Sequence, residues 1–175
     1  MALEQVLRKH RFTARLAEHD LVKLAALAQE VKFERDQLIL LTGQRSRRFY
    51  LVRSGSACVE ARTPVYTVCV QALGPGEAFG WSSLLSHHDT LFQVRAREAT
   101  TAICWEGSQL SALCQQDAEF GREFLSRLLA LVAGRVKATE ARLAEFCGIA
   151  SRPARATRGE KGANDSTVAT CPAAH

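Results

Sequence analysis

The sequence predicts an α+β domain: a β jelly roll (double-stranded β-helix) flanked by two short N-terminal helices and followed by a long C-terminal dimerisation helix. Three observations carry this. Apolar residues recur at helical spacing from Leu3 to Val31, short strand-like runs with regular turn signals fill the stretch from about Val31 to Cys104, and a four-three apolar seam runs from Leu125 to Phe146.

In the first stretch Leu3, Val6 and Leu7, then Leu16, Leu21, Leu24 and Leu27, mark two short helices, and acidic residues in AEHDL precede the second. From Lys32 the period changes, with turns at Gly43, Gly55, Pro64 and Gly74-Pro-Gly76. Alternation is clearest in LFQVRARE: Phe92, Val94 and Ala96 share one face and Gln93, Arg95 and Arg97 the other, so Arg95 is expected to face solvent. Roughly seven or eight such strands suggest a sandwich or jelly-roll barrel. EGSQLSALCQQD reads as a short helix, and a long helix follows over about residues 117–149. Its seam is Leu125, Leu129, Val132, Val136, Thr139, Leu143 and Phe146, the pattern of a coiled coil. The first half of the helix also packs on its own barrel through Phe120, Phe124, Leu128 and Leu131. Past Gly134 the apolar content narrows to the seam, so only a partner helix would bury it, and a homodimer is expected. Residues 1–149 form the domain, and 150–175, with almost no large apolar side chains, read as a disordered tail.

The bulk properties exclude several functions. At 175 residues, 47% hydrophobic and 23% charged, the chain suits one globular domain, and no apolar run reaches the roughly 18 residues of a membrane span. The N-terminus MALEQVLRKHRF does not read as a secretory signal, and a cytoplasmic location is expected. Six dispersed cysteines without a CxxC pair are expected to be reduced, four of them in apolar runs. The net charge of +5 owes part of its excess to a tail with four Lys/Arg and two acids, a weak footprint for nucleic acid. His87-His88 beside Asp89 is the only His-rich spot, and adjacent strand histidines point opposite ways, so no metal centre is expected. No nucleophile elbow accompanies the scattered Ser, His and Asp residues, and the chain reads as non-enzymatic.

The stretch GPGEAFGWSSLL, residues 74–85, admits two readings: an anion-holding loop, or a tight reversal with a helix cap. As an anion loop, Phe79 plugs the barrel and Gly80 allows close backbone approach. SSLL then begins a short helix, with Ser82 and Ser83 as donors and one of them as its N-cap.

Four segments in order, LTGQRSRRFYLVRSGSACVE, LGPGEAFGWSSLL, VRARE and KATEARL, resemble the cyclic nucleotide-binding domain of the Crp/Fnr superfamily, over about residues 5–148. The resemblance implies a cyclic nucleotide or other phosphate-bearing ligand inside the jelly roll, between the phosphate loop and the long helix. Binding would alter how two such helices associate. The candidate contacts are Gly80, Trp81, Ser82, Ser83, Thr90, Leu91 and Thr139. Where the family carries a glutamate for the ribose and an arginine for the cyclic phosphate, this chain has Trp81 and Thr90. The bidentate arginine contact, worth roughly 1.5–3 kcal/mol, is thereby absent, and Arg95 is a poor replacement. Trp81 either stacks on a base or wedges the barrel mouth, and Thr139 either meets a purine edge or interrupts the seam. Transcription-factor members follow the long helix with a winged helix-turn-helix module, which the 27 residues after Gly148 cannot hold. Signalling to an unidentified protein partner, without direct DNA binding or membrane association, is expected. Two functions stay open, a ligand sensor and a degenerate dimerisation or docking module; a haem sensor using a histidine near 87–88 is a third.

Overall fold

The computed structural model describes residues 3–85 and 90–148. The His87-His88-Asp89 motif and the tail expected to be disordered lie outside the described residues. Two helices, α1 (Leu3–Lys9) and α2 (Glu18–Leu27), precede eight strands: β1 (Gln29–Phe33), β2 (Leu38–Leu40), β3 (Arg48–Ser54), β4 (Ala57–Arg62), β5 (Thr67–Leu73), β6 (Ala78–Phe79), β7 (Phe92–Ala96) and β8 (Thr100–Glu106). A short 3-10 turn, Trp81–Leu84, lies between β6 and β7, and helices α3 (Gly107–Gln116) and α4 (Ala118–Phe146) close the chain. The strands form two four-stranded antiparallel sheets, ordered β1-β8-β3-β6 and β2-β7-β4-β5. This is the jelly roll that the turn spacing predicts, and the fold is α+β.

Burial along β3 and β8 explains why the helices sit where they do. Phe49, Leu51, Ile103 and Trp105 join Leu7, Leu21, Leu24, Leu110, Phe120 and Phe124 in a core under the helices. Their neighbours Tyr50, Val52, Ala102 and Cys104 point the other way, into the barrel, against Ala57, Leu73, Phe79 and Val94. The first sheet is thus apolar on both faces, as a period of two requires for a sheet covered on both sides. Each fully buried Phe or Leu contributes about 1.5–3 kcal/mol. Trp105 donates its indole N–H to the Leu24 carbonyl at 2.8 Å, tying α2 to the sheet. Asp117 caps α4 by accepting the Phe120 N–H at 3.0 Å and is ion-paired with Lys23.

His10, buried after α1, is held as a neutral ring. Its Nε2 faces the Val52 carbonyl and its Nδ1 accepts the Phe12 N–H, both at 3.2 Å. Burial lowers its pKa below the ordinary 6.5, outweighing the carbonyls of Val52 and Glu77. A folded pKa below the unfolded one means that this stability is complete above pH 6.5 and is lost as the pH falls towards the folded value. The melting temperature is expected to drop between about pH 7.5 and about pH 5.5, and to drop less in His10→Gln. Equal drops in the two proteins, followed by circular dichroism, would place the titration elsewhere.

Two expectations need correction. Cys58 and Cys69 are not reduced thiols: they form a disulfide across the β4–β5 hairpin, with Cα atoms 6.0 Å apart. Their separation of 11 residues is no motif, and the pairing depends on a register shift that the sequence does not announce. Val59 pairs with Gln71 but Glu60 with Cys69, leaving Val70 as the extra residue of a bulge. Arg95 does lie opposite Val94, but it is not free in solvent. It donates to Glu60 at 3.2 Å and to the Asp36 carbonyl at 2.7 Å, because Glu60 and Gln93 are buried on that face and draw it in.

Candidate ligand-binding site

A cavity of about 540 Å³ lies between the inner face of the second sheet, the 74–85 loop and the middle of α4. The sheet supplies Leu40, Val59, Val70, Gln71, Phe92 and Val94, and the loop supplies Phe79, Gly80, Trp81, Ser82 and Leu85. Thr90 and Leu91 stand at the start of β7. Helix α4 contributes Val132, Arg135, Val136, Thr139, Glu140 and Leu143. The bulge in β5 matters here, since it turns both Val70 and Gln71 towards the cavity where strict alternation would spare one of them.

The loop owes its path to Gly80. Its φ is +78°, and a Cβ would come within 2.3 Å of the Arg48 carbonyl on β3, so the close approach that Gly80 permits is to its own chain. The turn after it differs from the expected serine-capped helix. It begins at Trp81, has Gly80 as its N-cap and runs for only four residues, with no side-chain cap. A glycine in the left-handed region followed at once by a tight 3-10 turn leaves no extended residue on which a serine could act as cap. Phe79 fills the barrel floor, stacked on Tyr50 with ring centroids 4.7 Å apart.

Of the seven expected ligand contacts, Gly80, Trp81, Ser82, Thr90, Leu91 and Thr139 line the cavity. Ser83 does not: it is buried against Gly107, which has no Cβ to displace it, and its hydroxyl finds no partner among the described residues. Two of the polar contacts are already engaged. The Thr90 hydroxyl donates to the Phe92 carbonyl and accepts the Phe92 N–H, at 2.9 and 3.1 Å, and the Thr139 hydroxyl donates to the Arg135 carbonyl at 3.0 Å. Trp81 packs partly against the helix-side core while facing the cavity, so both readings of it keep a structural basis.

The side chain that the sequence reading left out is Arg135. It turns inward from α4 and donates to the Gln71 Oε1 and the Ala78 carbonyl, both at 2.6 Å. Its Nε is buried without a partner, and it makes no ion pair among the described residues. Burial lowers its pKa, offset in part by the charge of Glu77, but a guanidinium stays protonated in water's range. A signal was available: Arg135 lies four residues before Thr139, hence on the same helix face. The seam itself splits. Val132, Val136, Thr139 and Leu143 face the cavity, but Val136 and Leu143 stay 51% and 60% exposed, so the cavity wall does not bury the seam. Leu125 and Leu129, 49% and 70% exposed, and Phe146, at 82%, are outside the cavity wall.

A sheet-walled cavity closed by a glycine loop and a long helix has known counterparts. The family profile described as the cyclic nucleotide-binding domain matches residues 30–117. The chain belongs to that family. Among solved structures, it resembles a putative cyclic nucleotide-binding protein from Geobacter metallireducens, at 24% identity over 78% of this chain and 99% of that one, with a TM-score of 0.68. A cyclic nucleotide-binding domain from Methylobacillus flagellatus superposes with a TM-score of 0.70, at 18% identity over 83% of this chain and 82% of that one. The regulatory subunit of a cAMP-independent protein kinase A from Trypanosoma brucei matches 81% of this chain and 49% of its own, at 17% identity and a TM-score of 0.63. A triple mutant of that subunit, including a threonine-to-arginine change, is described bound to cAMP in its A site. No curated protein matches the chain in a sequence search. Among the described residues of this cyclic nucleotide-binding domain, no group of three or more His, Cys, Asp or Glu could hold a metal ion, and no helix is long and apolar enough to cross a membrane.

Proposed function

We propose that this domain is a non-enzymatic, homodimeric sensor that holds an anionic ligand on Arg135 and transmits its presence along α4 to a protein partner rather than to DNA. The observation that carries the reading is the half-buried Arg135 side chain, whose Nε is fully buried, which faces a cavity and has no carboxylate partner among the described residues. A half-buried cation with only the partial offset of Glu77 is unfavourable, and an anion in the cavity would offset it further. Because Arg135, Val132 and Val136 belong to the helix that also bears Leu125 and Leu129, a ligand touching them acts on the element expected to dimerise.

The second reading, a docking module without a ligand, is favoured by Trp81 and Thr90 standing where the family's charged contacts are expected. The cAMP-independent Trypanosoma subunit and its cAMP-bound mutant support a related view, that this fold serves with altered ligand choice. A thermal-shift screen with cyclic mono- and dinucleotides, other phosphates and organic acids separates the two. A ligand at about a hundred times its Kd adds about 2.7 kcal/mol and raises Tm by several degrees. A flat response to every anion would leave the docking module.

A further inference from the structure

The ligand chemistry can be taken further, on the reading that this cavity is a binding site. We infer that it takes a monocarboxylic acid with an apolar body of about eight to twelve carbons, a size suited to a cavity of this volume. The carboxylate would sit on Arg135 and the body against Trp81, Leu85, Leu91 and Val136.

Three features of the walls select this class over a nucleotide. Most of the lining side chains are aliphatic or aromatic, so the cavity rewards apolar surface. Several of its polar atoms are committed: the Gln71 Oε1 to Arg135, Thr90 to Phe92 and Thr139 to the Arg135 carbonyl. A ribose and base would bring many donors and acceptors to a wall whose uncommitted side-chain polar groups are few, chiefly Ser82, Glu140 and the Gln71 amide N–H groups, and each one left unpaired weakens binding roughly tenfold. The guanidinium, by contrast, uses two of its five N–H groups on Gln71 and Ala78, and its Nε–H has no partner among the described residues. One buried cation matches one negative charge, and Glu140 on the same wall disfavours a second.

The test uses the full chain and the fluorescence of Trp81, with Trp105, buried and bonded to Leu24, as a constant background. Hexanoate, octanoate and decanoate are titrated beside 1-naphthaleneacetate, 1-decanol, cAMP and cGMP. The expected result is saturable carboxylate binding, tightening about fourfold per added methylene, with decanol at least about tenfold weaker than decanoate. Arg135→Gln should lose about tenfold or more in decanoate affinity. Val70→Phe, which fills the cavity from β5 and leaves α4 untouched, should also weaken it while keeping its circular dichroism. A cyclic nucleotide that binds where carboxylates do not would overturn this inference and leave the sensor reading intact. Equal binding of decanol and decanoate, unchanged in Arg135→Gln, would overturn the assignment of the acid group. Absence of binding by every probe, phosphates included, would remove both.

Discussion

The Trp81→Glu/Thr90→Arg double variant is expected to bind cAMP at least about 100-fold more tightly than the unaltered chain. Both positions line the cavity, one beside Gly80 and the other at the foot of β7. A carboxylate on the ribose hydroxyl and a guanidinium on the cyclic phosphate are charge-assisted bonds worth about 1.5–3 kcal/mol each. Their sum corresponds to roughly 10²- to 10⁴-fold in affinity, reduced somewhat by loss of the Thr90 turn bonds to Phe92. Calorimetric titration of the double and both single variants decides it. A gain below about tenfold in the double variant would mean that the polar deficit is not what sets ligand choice.

Leu125→Glu/Leu129→Glu should convert a dimer into monomers without disturbing the cavity, because neither residue lines it. In a two-fold interface each substitution acts twice, so four leucines leave the seam. At about 1.5–3 kcal/mol per buried leucine, even partial burial weakens association by at least about 10³-fold. Light scattering at micromolar concentration reads the mass. A dimer that survives the change would reject this seam, while ligand binding retained by the monomer would show that the two faces of α4 separate. Val132 and Val136 are poorer test positions, since they also wall the cavity.

Much of the fold was legible because period and punctuation act locally. Alternation in Phe92–Ala96, the turns at Gly55 and Gly74–Gly76, and the four-three spacing from Leu125 onward each follow from one segment's own geometry. What escaped the sequence depends on how segments meet. The Cys58–Cys69 bridge needs the β5 bulge, and the burial of Ser83 needs Gly107 from 24 positions away. Arg135 is the most instructive case. A charged residue on a helix normally marks the solvated face, and only the docking of α4 on β5 and β6 turns this one inward. The sequence therefore points to the cavity through the loop and Thr139, but not to the charge that stands in it.

If Arg135 holds an anion as proposed, ligand supply also governs how long each molecule survives. Whatever neutralises Arg135 in the folded state raises stability with the logarithm of its concentration. At about a hundred times Kd the unfolded fraction falls roughly 100-fold. Proteases that capture the open chain are starved in the same proportion where opening is faster than cleavage. Cellular half-life, and with it abundance, would then rise with the metabolite before any partner is engaged.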